Sequence, residues 1–220
     1  METMRAFLAL NLEVASIRRV VELGHMLRKR ARVPDASWIA ATKLHVTLKF
    51  FGAIDVGLTS AITDAVRPLA ESEVAPRVRY EKLTGFPDEE NARVLVLAMD
   101  DRAGDLARLF VEIERRVDAI GFAREERPYR PHVTLARFKM PTDIRAFCEA
   151  PVSPAKGEAL VTELVLYRSD LSSAGAEYVP LMRLGFGGVR AQTRTASIPA
   201  PMAPLPQEVE ADLPPEKGWK

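Results

Sequence analysis

The sequence predicts an α+β fold of mostly antiparallel sheets, set in two lobes about an approximate two-fold axis. Three observations lead there. Short apolar runs of strand length alternate with segments of helical period. Hairpin-length turns join neighbouring runs at Pro87–Asn91 and Asp170–Gly175, which favours antiparallel pairing. The tetrapeptide His-Val-Thr-Leu occurs at His45–Leu48 and again, unchanged, at His132–Leu135, 87 positions on. A repeat at about half the foldable length, in strand-like surroundings both times, points to two equivalent strands facing a shared cleft.

The elements follow in order. Arg5–Leu12 is a compact apolar run, read as a buried strand. In Val14–Arg30 the residues Val14, Ile17, Val20, Val21 and Leu27 form one helical stripe, with Arg18, Arg19, Glu22 and Lys29 opposite. Gly24 lies on the stripe; it costs roughly 1 kcal/mol against alanine but permits close packing. His25, at the stripe's edge, reads as a surface histidine. Pro34 and Asp35 end this segment. A short strand is expected at Trp38–Ala40, then the first motif strand at Leu44–Phe51, stopped by Gly52. Leu58–Ala70 is amphipathic, with Thr59 or Ser60 as caps and Pro68 ending or kinking it near Arg67. Val78–Phe86 and Arg93–Met99 read as strands. Asp105–Ile120 is the clearest helix: Leu106, Leu109, Phe110, Ile113, Val117 and Ile120 share a face, and Gly121 closes it. The second motif strand is His132–Phe138 and a short helix is expected within Pro141–Glu149. Leu160–Tyr167 and Ala176–Leu184 are the last strands, and Pro180 marks the final one as an edge. Residues 190–220 carry Pro199, Pro201, Pro204, Pro206, Pro214 and Pro215 without apolar periodicity, so a disordered tail is expected beyond a folded domain at 1–189.

Composition narrows the class. The chain has 220 residues, 47% hydrophobic and 28% charged, with a formal net charge of +1, so no overall field favours nucleic acid or a membrane. Its one cysteine, Cys148, rules out an internal disulfide and reads as a small buried or half-buried thiol. No run reaches the length of a membrane span and the N-terminus lacks a leader pattern, so a cytoplasmic protein is expected. A monomer is expected.

The chemistry lies in the repeat. Two of the three histidines sit in its two copies. Alternation in a strand puts His45, Thr47 and Lys49 on one face and Val46, Leu48 and Phe50 on the other. His132 and Thr134 repeat the polar pair. Opening a phosphodiester needs one proton removed from the attacking oxygen and one delivered to the leaving oxygen. Two histidines suit both tasks, with hydroxyls and an arginine on the non-bridging oxygens. Two histidines without further ligands at metal spacing make a poor metal site, and no cofactor motif is present. There is no Gly-x-Ser-x-Gly for a serine nucleophile either.

Trp38–Gly52 (WIAATKLHVTLKFFG), Arg127–Arg137 (RPYRPHVTLAR), Val165–Leu171 (VLYRSDL) and the opening Arg5–Leu10 resemble the RNA 2′,3′-cyclic phosphodiesterases, the 2′-5′ RNA ligase or LigT-like group of the two-histidine phosphoesterase superfamily. The likeness runs over about residues 4 to 186. It implies a bilobal fold with helices on the outer faces of two antiparallel sheets and a central cleft. It implies metal-independent hydrolysis of RNA 2′,3′-cyclic phosphate ends to 2′-phosphomonoesters. His45 would be the proton donor and His132 the base; Thr47, Thr134 and Arg137 would contact phosphate, and Phe50 would line the base pocket. Strict alternation, however, puts Arg137 and Phe50 opposite their histidines, while Arg130 has the histidine's parity. A bulge or strong twist would bring Arg137 round; Arg130 is the alternative. Other readings keep the site with 2′-5′ ligation or cleavage, or another small cyclic phosphate, or make the chain a non-catalytic RNA-end binder using Lys43, Lys49, Arg127, Arg130, Arg137 and Lys139.

Overall fold

The structure is a computed structural model that describes residues 2–30, 36–152, 155, 157–172 and 175–187. The expected helix stop at Pro34 and Asp35 and the proline-rich tail lie outside the described residues. The elements are β1 (Thr3–Leu12), α1 (Val14–Arg30), β2 (Ala36–Trp38), β3 (Val46–Asp55), α2 (Leu58–Ser72), β4 (Arg77–Phe86), β5 (Ala92–Asp100), α3 (Asp105–Asp118), β6 (His132–Thr142), α4 (Arg145–Cys148), β7 (Glu158–Ser172) and β8 (Gly175–Gly185).

All described strand pairings are antiparallel, and the strands form two groups. One runs β3-β1-β7-β8 and the other β4-β5-β6, with β2 on β6. Two narrow seams join them into one continuous sheet. At one, Val46 pairs with Val133; at the other, Arg77–Arg79 pair with residues 158–160. The expected two sheets are therefore present but fused.

The approximate two-fold runs through both seams and is visible in the register. Thr47 lies opposite Ala9 and Thr134 opposite Val96; Val46 lies opposite Leu10 and Val133 opposite Leu97. The same offset of 87 thus relates β1 to β5 as well as β3 to β6. The chain runs β-α-β-α-β through β1, α1, β3, α2 and β4. It does so again through β5, α3, β6, α4 and β7. The third strand of each repeat joins the other repeat's sheet: β4 pairs β5, and β7 pairs β1.

β1 is buried from Ala6 to Leu10 because it is central and covered on both faces. The helices cover the face that Val46 and Leu48 share. Val20, Leu23 and Leu27 of α1, Ile62 and Val66 of α2, and Leu106, Ile113 and Val117 of α3 complete one core with them. Gly121 (φ 96) closes α3: Phe122 N–H donates to Val117 O and Gly121 N–H to Asp118 O, so two terminal carbonyls are satisfied. β8 ends the strand order, which accommodates Pro180. Among the described residues, no helix is long and apolar enough to cross a membrane.

Several local expectations are corrected. The short strand comes earlier than Trp38–Ala40, at Ala36–Trp38, where it pairs β6. Gly52 does not stop β3. It takes φ 72 beside a register shift, and the strand runs on to Asp55. Pro68 does not end α2 near Arg67. The next turn is held by buried Leu69 and Ala70, and Ala70 O accepts Gly187 N–H. Thr59 and Ser60 lie inside that helix and donate back to Val56 O and Gly57 O instead of capping it.

Lys49 is the largest correction. It does not share the face of His45 and Thr47; it is buried in an ion pair with Glu114 of α3 at 2.8 Å, with side-chain exposures of 7% and 6%. Removing one member of a buried pair strands the other charge, and Glu114 Oε1 already lacks a partner among the described residues. Lys49→Met is expected to lower the urea-unfolding free energy by about 3–5 kcal/mol. Lys49→Met with Glu114→Gln should recover more than half of that loss in the same measurement.

Candidate active site

The parity problem at Arg137 and Phe50 is resolved by a bulge that occurs twice. Thr47 and Lys49 lie opposite consecutive residues, Ala9 and Leu8, so Leu48 is an extra residue on β3. Thr134 and Ala136 lie opposite Val96 and Leu95, so Leu135 is extra on β6. One extra residue inverts the alternation beyond it. Lys49 and Ala136 turn into the core; Phe50 and Arg137 emerge on the histidine face. A tetrapeptide ending in the bulged leucine therefore sets which later side chain reaches the site.

The Val46–Val133 pair places the two motifs side by side in opposite directions. Both valines are fully buried, so His45, Thr47, His132 and Thr134 share the opposite face. His45 stands diagonally across from His132, a relation that in a regular ladder leaves the two residues roughly 7–8 Å apart, with their Cβ atoms somewhat closer. The imidazoles are held alike. His45 Nδ1 lies 2.7 Å from Lys43 O, and His132 Nδ1 lies 2.6 Å from Arg130 O. A carbonyl can only accept, so each Nδ1 carries a proton and each neutral ring keeps its Nε2 lone pair. His45 Nε2 is 3.1 Å from Thr47 Oγ1, whose hydroxyl donates to it.

The surroundings differ. His45 sits among Phe7 (ring centroids 5.0 Å), Tyr178 (5.4 Å) and Tyr167 (6.3 Å). Burial there, then the charges of Arg137 and His132, outweigh the Lys43 carbonyl and bring its pKa down to about 4. His132 meets one aromatic, Phe86, edge-on at 5.1 Å. Its pKa is also lowered, mainly by burial and then by Arg137, against the raising effect of the Arg130 carbonyl. Arg137 thus acts on both rings. Neither Arg130 nor Arg137 has a carboxylate partner among the described residues, whereas Arg127 is closed onto Glu125 at 2.8 Å. Arg130 lines a cleft of about 820 Å³ beside His132, together with Lys82, Thr84, Phe86, Glu89 and Arg145. Phe50 is 68% exposed on the His45 side, with its ring 5.9 Å from Phe7.

The site residues expected from sequence, His45, Thr47, Phe50, His132, Thr134, Arg137 and Arg130, therefore lie on or beside one face. Lys49 does not. Phe7, Tyr167, Tyr178, Phe86 and Tyr129 were missed. They come from strands and a loop that carry no repeated motif; the aromatic at Phe7, flanked by apolar residues in a strand, was the available sign. His25 is exposed on α1. Cys148 is partly buried, and burial first, then Glu89, pushes its thiol up to about 12. Among the described residues no three His, Cys, Asp or Glu side chains are grouped to hold a metal ion.

Comparison with known proteins identifies the family. The sequence profile of the 2′-5′ RNA ligase superfamily matches residues 12–172. A Methanothermobacter thermautotrophicus protein named RNA 2′,3′-cyclic phosphodiesterase is 28% identical over 184 residues, 80% of this chain and 96% of that one. An Aeropyrum pernix protein of the same name is 32% identical over 95 residues; that match takes in 43% of this chain and about half, 53%, of the relative's length. A crystal structure from Thermus thermophilus aligns with TM-score 0.67 at 25% identity over 85% of this chain and all of that one. Escherichia coli LigT, crystallised with 3′-AMP, aligns with TM-score 0.65 at 23% identity over 84% and 99%, a likeness of fold. With a profile match across most of its length, this chain belongs to the 2′-5′ RNA ligase superfamily.

Proposed function

We propose that this chain is an RNA 2′,3′-cyclic phosphodiesterase that hydrolyses cyclic ends to 2′-phosphomonoesters by a histidine acid–base pair. The observation that carries the reading is the matched pair of imidazoles, each with Nδ1–H held by a carbonyl two residues upstream, both under the charge of Arg137. The names of the relatives support the substrate class.

In this mechanism the cyclic phosphate lies between the rings, with the Thr47 and Thr134 hydroxyls and Arg137 on its non-bridging oxygens. His132 Nε2 takes a proton from water as the water oxygen bonds to phosphorus. The bond from phosphorus to the 3′ oxygen breaks in line, and His45 delivers its Nε2 proton to that oxygen. The 2′ ester remains, and proton exchange with solvent resets the pair. This division of labour follows the family resemblance: His132 borders the cleft, and His45, whose burial disfavours its charged form, takes up its proton when the phosphate anion binds beside it. Exposed Phe50 offers a face on which the terminal base stacks, and Arg130 a cation at the mouth of the cleft.

A second reading is favoured by the size of the cleft. About 820 Å³ is far more than the ~30 Å³ a water occupies. A hydroxyl of a second nucleotide placed there would attack in place of water and leave a 2′-5′ diester. Adding a 5′-hydroxyl oligonucleotide to the assay separates the two readings by product.

Wild-type protein in EDTA should release 2′-phosphate from a 2′,3′-cyclic nucleotide. His45→Ala and His132→Ala should each lower kcat/KM by at least ~10²-fold. Absent turnover, or full activity of both variants, would point to a binding protein or another cyclic phosphate. The pH dependence follows from the lowered histidine values. The productive free enzyme carries one proton on the pair, and both pKa values lie below 6.5, so kcat/KM should already be falling as pH rises through 6.5. A bound phosphate anion favours the charged imidazole and raises its pKa, so the alkaline limb of kcat should lie at higher pH than that of kcat/KM.

A further inference from the structure

The strands that carry the two histidines pair at one residue position, Val46 with Val133. Ladder hydrogen bonds therefore do little to fix the gap between the imidazoles. Beyond that pair the edge of β3 is followed by residues 122–131, the segment that links α3 to β6. Phe122 packs edge-on against Phe51 at 4.8 Å. Ala123 O accepts from Lys49 Nζ at 2.7 Å, and Glu125 N–H donates to Glu114 Oε2, the oxygen that also holds Lys49. Tyr129 then donates its hydroxyl to Thr47 O at 3.3 Å and stacks flat on Phe110 of α3, with centroids 4.4 Å apart and an interplanar angle of 6°. The next residue, Arg130, supplies the carbonyl on His132 Nδ1, and Pro131 O accepts Met99 N–H of β5.

We propose that Tyr129 is a positioning residue, the last rung of a strap along β3 that sets the distance between the two imidazoles. Its hydroxyl grips the backbone of the first motif, and its neighbour's carbonyl orients the histidine of the second. Phe110 fixes the ring plane, and the Lys49–Glu114 pair anchors the root of the strap. This role makes sense of the buried Lys49–Glu114 pair: it ties a polar backbone segment to a strand edge that has lost its ladder partner. Small displacements of reacting groups are costly, since about 1 Å of misplacement can lose ~10²-fold in rate.

The kinetic arm of the test rests on the cyclic phosphodiesterase reading. Tyr129→Phe keeps the stack on Phe110 and removes only the hydroxyl. It should lower kcat on a 2′,3′-cyclic nucleotide about tenfold, with KM changed less than about twofold and little change in Tm. Unchanged kcat, or a loss confined to KM, overturns the proposal. The second arm needs no turnover and so separates failure of the strap from failure of the functional reading. In NMR titrations of wild type with inorganic phosphate, the imidazole signals of His45 and His132 should move together with one apparent Kd. In Tyr129→Phe that common Kd should rise at least threefold, or the two signals should report different values. Titration curves identical to wild type overturn the proposal.

Discussion

The meeting of Val46 with Val133 is the contact on which the site depends. Both side chains are fully buried, and their burial pulls two antiparallel strands together at the point where the fold's two-fold axis passes. Side chains on either side of a buried residue face away from the core, so this contact alone puts His45, Thr47, His132 and Thr134 on one surface. Because the strands separate beyond the pair, the same contact leaves a gap between them. A longer ladder would hold the histidines more firmly and would close that gap.

The bulges extend this logic. A regular strand offers one face only every second residue, which would leave Arg137 pointing into the core. The extra leucine in each motif strand reverses the alternation, so the histidine and a residue five positions later serve the same face. The buried side of that reversal differs between the copies. Ala136 is accommodated without polar partners, whereas Lys49 brings a charge into the core and needs Glu114 and Ala123 O to satisfy it. The repeat is symmetric in backbone and asymmetric in what the backbone presents.

That asymmetry reaches the chemistry. Exchange of the third strands gives the His45 lobe β7 and β8, with Tyr167 and Tyr178, and gives the His132 lobe β4, with Phe86. Two identical tetrapeptides thereby sit in unlike surroundings, one aromatic and dry, the other opening on a cleft. Identical residues in unlike solvation have unlike proton affinities, and burial is the first cause of the lowered pKa at both rings. Arg137 lowers both rings together and so does not distinguish them.

Much of this was legible in the residues themselves. Apolar periodicity located most of the strands and the main helices, and the repeated His-Val-Thr-Leu named the two histidines and both threonines, because periodicity and repetition are local properties of a chain. The limits were local as well. Gly52 and Pro68 read as stops because propensity favours them there, but pairing with β1 and burial of Leu69 and Ala70 carried β3 and α2 past them. Three things required the folded chain: the bulges, which are defined against a partner strand; the fate of Lys49, which depends on a glutamate 65 positions away; and the aromatics around His45, drawn from β1, β7 and β8. The sequence by itself determined which groups are the candidates for the chemistry. The tertiary structure decided which face they share, which arginine joins them and how dry each histidine is, since register and burial arise only when distant segments meet.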